Sequence, residues 1–387
     1  MTEDQPGRQE HAGGAAGENA QAGTGQEHAG GAAGEKASAG TPRAAPQRFL
    51  AEFRDAVSVR TITLIAGVLL LQLGFILSYV GAFHSPKPHR IPIAVVAPQQ
   101  VSARAIAQLN AVAATPLDAT AANSAQQATQ RIKDGSIPAA LIVNPSASTD
   151  TLLVASAAGT SEATAVEQVI TAIEAHQHRT AAVTDVVPLQ SGDGRGLTGF
   201  YLVIGWIVGG YLVAALLGVS GGARPATTRR ACIRLLAMAP YAIVSGLGGA
   251  IVVGPVLGAL TGHFLALWWL GALLVLAAAT VTMAFQVLFG VLGIGVTVLV
   301  FVILGNPSAG GAYQAGLLPA FWRAIGNALP NGAGTDSVRR IVYFGGHGIT
   351  GHLILIAGYA AAGAIVAVAG SLLNDRRKQP TDGGVLV

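Results

Sequence analysis

The chain has 387 residues, of which 51% are hydrophobic and only 11% charged, with a net charge of +4. A soluble globular protein carries about 25% charged residues, so the composition, with mean hydropathy +0.53, points to an integral membrane protein. The basic residues sit at the ends of apolar runs and form no single patch, which excludes a nucleic-acid footprint. The single cysteine, Cys232, excludes an intrachain disulfide or a cysteine metal cluster.

Residues 1–47 are rich in Gly, Ala, Gln and Glu, and QEHAGGAAGE occurs at both 9–18 and 26–35. Such a segment has too little apolar surface to offset the entropy of ordering, so it reads as a disordered tail. His11 and His28 recur with the repeat and read as solvated. The stretch GGAAGEKAS at 30–38 is not a phosphate loop, because its lysine follows Glu35 and no strand precedes it. Residues 48–83 comprise an amphipathic lead-in, with Arg48, Arg54 and Arg60, and then a first transmembrane helix at 61–83. The apolar run is too long, and begins too far along the chain, for a signal peptide.

Residues 84–196 read as an extracytoplasmic α/β domain. Strands are expected at 93–96, 139–143, 151–155 and 183–187, and helices at 102–112 and 162–175. A further helix opens on a capping-box pattern of Ser124 and Gln127 and ends at Gly135. The helix at 162–175 places Val166, Val169, Ile170 and Ile173 on one face. Asp185 and Asp193 read as capping or turning residues before the next span.

The run at 197–220 (LTGFYLVIGWIVGGYLVAALLGVS) is uncharged and long enough to cross ~30 Å of hydrocarbon. It organises the topology, because Arg224, Arg229, Arg230 and Arg234 follow it and mark a cytoplasmic loop. A glycine-rich span at 235–258 comes next. Residues 264–305 are uncharged throughout and read as two spans with a turn near 284–290, where Gln286 lies. One span plus a re-entrant piece is the alternative. Residues 306–349 read as an outside hairpin, too apolar for a plain loop, with a short helix at 317–329. A last span at 351–373 precedes Asp375, Arg376, Arg377 and Lys378, and the cytoplasmic tail covers 374–387. The fold class is therefore a membrane all-α bundle of six transmembrane helices with an inserted extracytoplasmic α/β domain; residues 197–373 form its five-helix membrane region. Both termini fall in the cytoplasm of a multi-pass cell-membrane protein. Arg323, Arg339 and Arg340 fall outside, against the charge rule.

Asp, Glu, Lys and Arg are missing from these spans, and His352 is placed near the outer surface. Gln72 and Gln286 are their clearly polar members. Ion-coupled transporters place ionisable groups within the membrane, and no nucleotide loop is present, so energy for transport would come from a partner ATPase. Arg224, Arg229, Arg230 and Arg234 are the candidate contact for it. Their simpler role is to fix topology. The pairs Gly205/Gly209 and Gly254/Gly258 have the spacing for close helix approach. Pro255 is expected to kink its span, and Trp268 and Trp269 to anchor at an interface. His263, His347 and His352, with Ser308 and Asp336, show neither zinc spacing nor a nucleophile elbow. No catalytic, cofactor-binding or metal residue is therefore assigned.

Three stretches resemble the permease subunit of type-2 ABC exporters, in the branch related to phage infection proteins. They are IKDGSIPAALIV at 132–143; DVVPL at 185–189 with Gly199-Phe200-Tyr201 and Gly209-Gly210-Tyr211; and NPSAGG at 306–311 with LPAFW at 318–322 and Leu329-Pro330-Asn331. The resemblance covers about 60–373. It implies a homodimer, or a pseudo-dimer with a related permease, embedded in a lipid bilayer. A cytoplasmic ATP-binding-cassette subunit would drive it, without nucleic acid. The coupling region would be 221–234. An outer gate would lie in the hairpin with Pro307, Ser308, Gly310, Gly311, Pro319 and Pro330. The cargo would be hydrophobic or amphipathic and exported outward. The contrasting possibility is a non-transporting surface protein whose outer domain binds an envelope partner.

Overall fold

The computed structural model describes residues 58–378. The repeat tail, most of the lead-in and the last nine residues lie outside the described residues. The chain divides into a first unit, Met1–Thr61, and a second, Ile62–Val387, which holds the sheet and the helical bundle.

The first described helix, α1, is Val59–Phe83. The sheet domain comes next: β1 (Ile91–Val96), α2 (Gln99–Asn110), β2 (Leu117–Ala121), α3 (Ala125–Lys133), β3 (Ala139–Ile142), β4 (Thr149–Val154), α4 (Thr160–His176) and β5 (Thr180–Asp185). The sheet order is β2-β1-β3-β4-β5, with β3–β4 antiparallel and the other pairs parallel. Ile91, Ile93 and Val95 alternate onto one face, which α2 and α4 cover through Leu109, Val166 and Ile170. Ala94, Ala140 and Leu153 point to the other face, against Ala128 and Ile132 of α3. Ser124 caps α3 as the sequence suggests, accepting from the Gln127 N–H at 3.1 Å. The side-chain oxygen of Gln127 in turn accepts from the Asn123 N–H at 2.7 Å. β2 is an addition to the sequence expectation, which had no strand between the first two helices.

The helical region consists of α5 (Thr198–Gly221), α6 (Thr228–Ile251), α7 (Phe264–Phe289), α8 (Leu292–Thr297), α9 (Ala320–Ala328), α10 (Pro330–Tyr343) and α11 (Thr350–Lys378). A π-helical stretch, Val252–Val256, prolongs α6 and contains Pro255. Another, Val298–Gly305, joins α8 to Asn306–Ser308. Among the described residues, five helices are long and apolar enough to cross a membrane: Thr61–Phe83, Thr198–Gly221, Thr228–Val256, Phe264–Phe289 and Thr350–Arg376. The region expected to give two full spans gives one of them and a shorter apolar helix, Leu292–Ser308. The break falls at Gly290, whose φ of +65° suits glycine best. Large side chains such as Leu70 and Leu77 of α1 are 70% and 75% exposed. An apolar surface of that kind belongs in lipid.

Helix α7 is the most buried of the long helices. Three glycines bring its neighbours against it: Gly210 of α5 at Val275 and Ala278, Gly246 of α6 at Trp268 and Ala272, and Gly363 of α11 at Thr280 and Val281. Of the pairs that sequence spacing selects, Gly209 does approach Tyr241 and Ser245 of α6. A Cβ at Gly205 or Gly258 would meet nothing within 4 Å. Trp206 is buried in a slot left by Gly249 and Gly271. The α1 helix lies along α8, with Leu71 beside Gly295 and Gly74 beside Ile303.

The sheet domain does not close its own cores. Leu317 and Tyr313 complete one face and Phe344 the other, all three from the segment between α8 and α11.

Candidate functional site

Where the sheet domain meets the helices, the chain forms a half-open cavity of about 450 Å³. Its helical wall comes from the end of the α8 continuation (Ser308), from α9 (Arg323, Asn327), from α10 (Asp336, Arg339, Arg340) and from the first turn of α11 (His352). Its other wall comes from the turn at Gly135 and Ser136 and from Glu162 in the first turn of α4. Glycines allow these pieces to meet: Gly326 presses on the Ser308 carbonyl and Gly332 on that of Gly326. Asn331 sits beneath, donating to the Phe301 carbonyl and to Asn306, both at 2.9 Å. The first bond serves a backbone carbonyl within the π-helical segment, and the second goes to the Asn306 side-chain oxygen.

The charges are partly paired. Asp336 accepts from Arg340 Nε at 2.6 Å and lies 3.5 Å from Arg339 and 3.6 Å from His352 Nδ1. Arg340 also donates to the His347 carbonyl at 3.0 Å, and Arg339 to the Gly310 carbonyl at 2.9 Å. Burial alone would favour protonated Asp336, but Arg339, Arg340 and His352 hold the carboxyl below its usual value. Glu162 behaves oppositely. Burial pushes it up to about 7, against the pull of Arg339 and with a push from Asp336. The Arg323 guanidinium has neither ion pair nor hydrogen bond among the described residues.

The hairpin residues chosen from the sequence lie around this cavity. Pro307 and Ser308 are buried at the end of the α8 continuation, where the Ser308 hydroxyl donates to the Leu304 carbonyl at 2.7 Å. Gly310 turns the chain with φ +73°. Gly311 packs on the ring of Phe200. Pro319 precedes α9 and Pro330 opens α10. Gln314 then ties the hairpin to the sheet domain, since its side-chain oxygen accepts from the Glu162 N–H at 3.2 Å. Nearby, the Ser161 hydroxyl donates to the Ala312 carbonyl at 2.7 Å.

Sequence reasoning missed the charged cluster. It took Arg323, Arg339 and Arg340 as exceptions to a charge rule. The usable signal was the spacing Asp336, Arg339, Arg340, which is i, i+3, i+4 and forms ion pairs on a helix. Of the acids before α5, Asp193 does cap, its carboxylate accepting from the Thr198 N–H at 2.9 Å and from the Tyr343 hydroxyl at 2.6 Å. Burial and this bond to Asp193 raise the Tyr343 phenol.

At the opposite end of the helices, the four loop arginines separate into two kinds. Arg224 donates to the carbonyls of Val287 and Leu288 at 3.1 and 2.9 Å, closing the C-terminus of α7. Arg234 does the same for α5, donating to Gly221 and Gly222 at 2.7 and 2.9 Å. Arg229 and Arg230 are exposed in the first turn of α6. Thr228 is held by Asp375 of α11, which accepts from both its N–H and its hydroxyl at 2.6 Å. No cluster of His, Cys, Asp and Glu that could hold a metal occurs among the described residues.

These features define a membrane-embedded helical protein that carries a small mixed α/β layer. No family model, curated protein or solved structure matches the chain.

Proposed function

We propose that the chain is the membrane permease subunit of an ABC-type exporter, moving a hydrophobic or amphipathic substrate outward with energy from a separate cytoplasmic ATPase. The observation that carries this reading is the bracing of the arginine loop. Arg224, Arg234 and Thr228 fasten it to α7, α5 and α11 respectively, while Arg229 and Arg230 stay exposed. A push on such a loop would move three helices together and would not merely bend the loop. The exposed pair offers cations to an acidic groove of a motor subunit.

In this reading Leu292–Ser308 is a sixth, shorter crossing. At 1.5 Å per residue it rises about 25 Å. It starts just beyond Gly290, close to the α7 end that Arg224 caps, and finishes at the cavity. Six crossings would put both termini in the cytoplasm and the sheet domain outside the cell. Two permease chains, identical or related, would make the working assembly.

The test is affinity purification from native membranes, followed by identification of bound proteins and an ATPase assay. An ATP-binding-cassette subunit should co-purify. Replacing Arg229 and Arg230 by Ala should leave folding intact and abolish substrate-stimulated hydrolysis. If full function persists in cells lacking every candidate ATPase, the chain is instead an anchored surface protein.

A further inference from the structure

The cavity beneath the sheet domain carries more positive charge than its own acids neutralise. Three guanidiniums line it, from Arg323, Arg339 and Arg340. Asp336 is shared between two of them. Arg340 is further satisfied by the His347 carbonyl and Arg339 by that of Gly310. Arg323 is left over, half-buried in the wall with a guanidinium that has no ion pair or hydrogen bond among the described residues. Half-burying a charge without a partner is costly, and a guanidinium offers paired N–H donors that match a planar or tetrahedral oxyanion. The volume of about 450 Å³ exceeds what an isolated ion needs and lies in the range of small-molecule sites.

We infer that this cavity binds an oxyanion, either free or as the head group of an amphipathic molecule, with Arg323 as its main counter-charge and Arg339 assisting. The site stands on the cavity alone and does not require the exporter reading. If that reading holds, the site names the cargo's head group. Glu162 sets a condition on binding. It faces the same space on α4, opposite Asp336, Arg339 and Arg340 of α10, Arg323 of α9 and His352 of α11. With its carboxyl pushed up to about 7, it is largely neutral at pH 6 and tolerates an anion. Above that value it ionises, competes for Arg339 and adds a negative charge to the space the anion would fill. Binding should therefore weaken as pH rises from 6 to 8.

The test uses the full chain in a neutral maltoside detergent, with no ATPase present, and isothermal titration calorimetry. The probes are sulfate, octyl sulfonate and octyltrimethylammonium, none of which changes charge between pH 6 and 8. The two anions should bind and the cation should not. Equal binding of sulfate and octyl sulfonate identifies a free-ion site, and binding of octyl sulfonate alone an amphiphile site. Arg323→Gln should weaken binding about tenfold or more, a loss of ~1.4 kcal/mol or more, with an unchanged melting temperature because that side chain holds no structural bond. Glu162→Gln should give the same affinity at both pH values. Preference for the ammonium probe, or full affinity in Arg323→Gln, would overturn the inference. A pH dependence that survives Glu162→Gln would overturn the role given to that residue. Failure here leaves the loop-coupling reading standing, and failure to find an ATPase leaves this binding result standing.

Discussion

The Gln314 side-chain oxygen accepts a hydrogen bond from the Glu162 N–H at 3.2 Å, joining residues 152 positions apart. Helix α4 begins after Gly159, which has no side chain to cap it. The hairpin supplies the missing acceptor, so the sheet domain depends on the segment between α8 and α11 for a helix cap as well as for core residues. Gln314→Ala should cost about 1 kcal/mol, the usual worth of an N-cap. Hydrogen exchange should show it as faster exchange in the first turn of α4 with the C-terminal turn unaffected. Equal exchange in the variant and wild type would deny the cap.

The helix contacts make a prediction that contrasts two glycines of α5. A methyl group at Gly210 would press on the Val275 backbone and lie 2.8 Å from Ala278 Cβ, and backbone cannot rotate away. At Gly205 it would meet nothing within 4 Å. Gly210→Ala should therefore destabilise by about 1–3 kcal/mol through overpacking. Gly205→Ala should be neutral or slightly stabilising. Thermal unfolding of the detergent-solubilised protein separates the two.

Asp336 balances Arg339 and Arg340 and approaches His352 within 3.6 Å. Asp336→Asn leaves two partly buried guanidiniums short of a counter-ion, a loss of about 3 kcal/mol. The acid side of the stability profile should report the same group. Its folded value is depressed, so the stability it contributes is present above the unfolded value of about 3.9 and is lost as pH falls through the folded value. Asp336→Asn should flatten that acid limb in a pH series of melting temperatures.

A second acid group gives the opposite slope. Glu174 and Asp150 share the Arg179 guanidinium, and Arg179 also donates to the Asn144 carbonyl at 2.9 Å. Burial, with Asp150 beside it, raises the Glu174 carboxyl. A raised carboxyl prefers the folded state while protonated. Its contribution is full below the unfolded value of about 4.3 and is lost as pH climbs through the raised value. The melting temperature of the wild type should fall across that window. Glu174→Gln should remove this part of the fall, and an unaltered profile would place the slope elsewhere.

The long helices were legible because uncharged runs admit few other structures. The Gly290 break was legible because a doubled run must turn. The strand Leu117–Ala121 was not. Its sequence, LDATA, lacks the β-branched and aromatic pattern of a strand, and its place comes from pairing with β1. Helix α10 was hidden for a related reason. Its first turns, PNGAGTD, are rich in loop-formers, yet Pro330 fits the first helical position and the glycines are pressed against α9 and Leu274. The cavity charges could be counted from the sequence, but their grouping depends on the sheet domain folding back onto the hairpin.

The arginine loop allows bracing and coupling to be separated experimentally. Arg224 and Asp375 touch helix ends, whereas Arg229 and Arg230 are exposed. Asp375→Ala removes the acceptor for both the N–H and the hydroxyl of Thr228, and should lower stability by about 1–2 kcal/mol. Arg224→Ala should do so comparably by baring two carbonyls at the end of α7. Arg229→Ala with Arg230→Ala should leave unfolding within about 0.5 kcal/mol of wild type, as surface changes do, and change only the interaction with a motor subunit. Unfolding measured beside ATPase pull-down therefore gives two patterns. Stability lost with binding retained marks the bracing residues, and binding lost with stability retained marks the contact. If Arg229 and Arg230 show neither effect, their role is limited to topology and the motor must dock elsewhere.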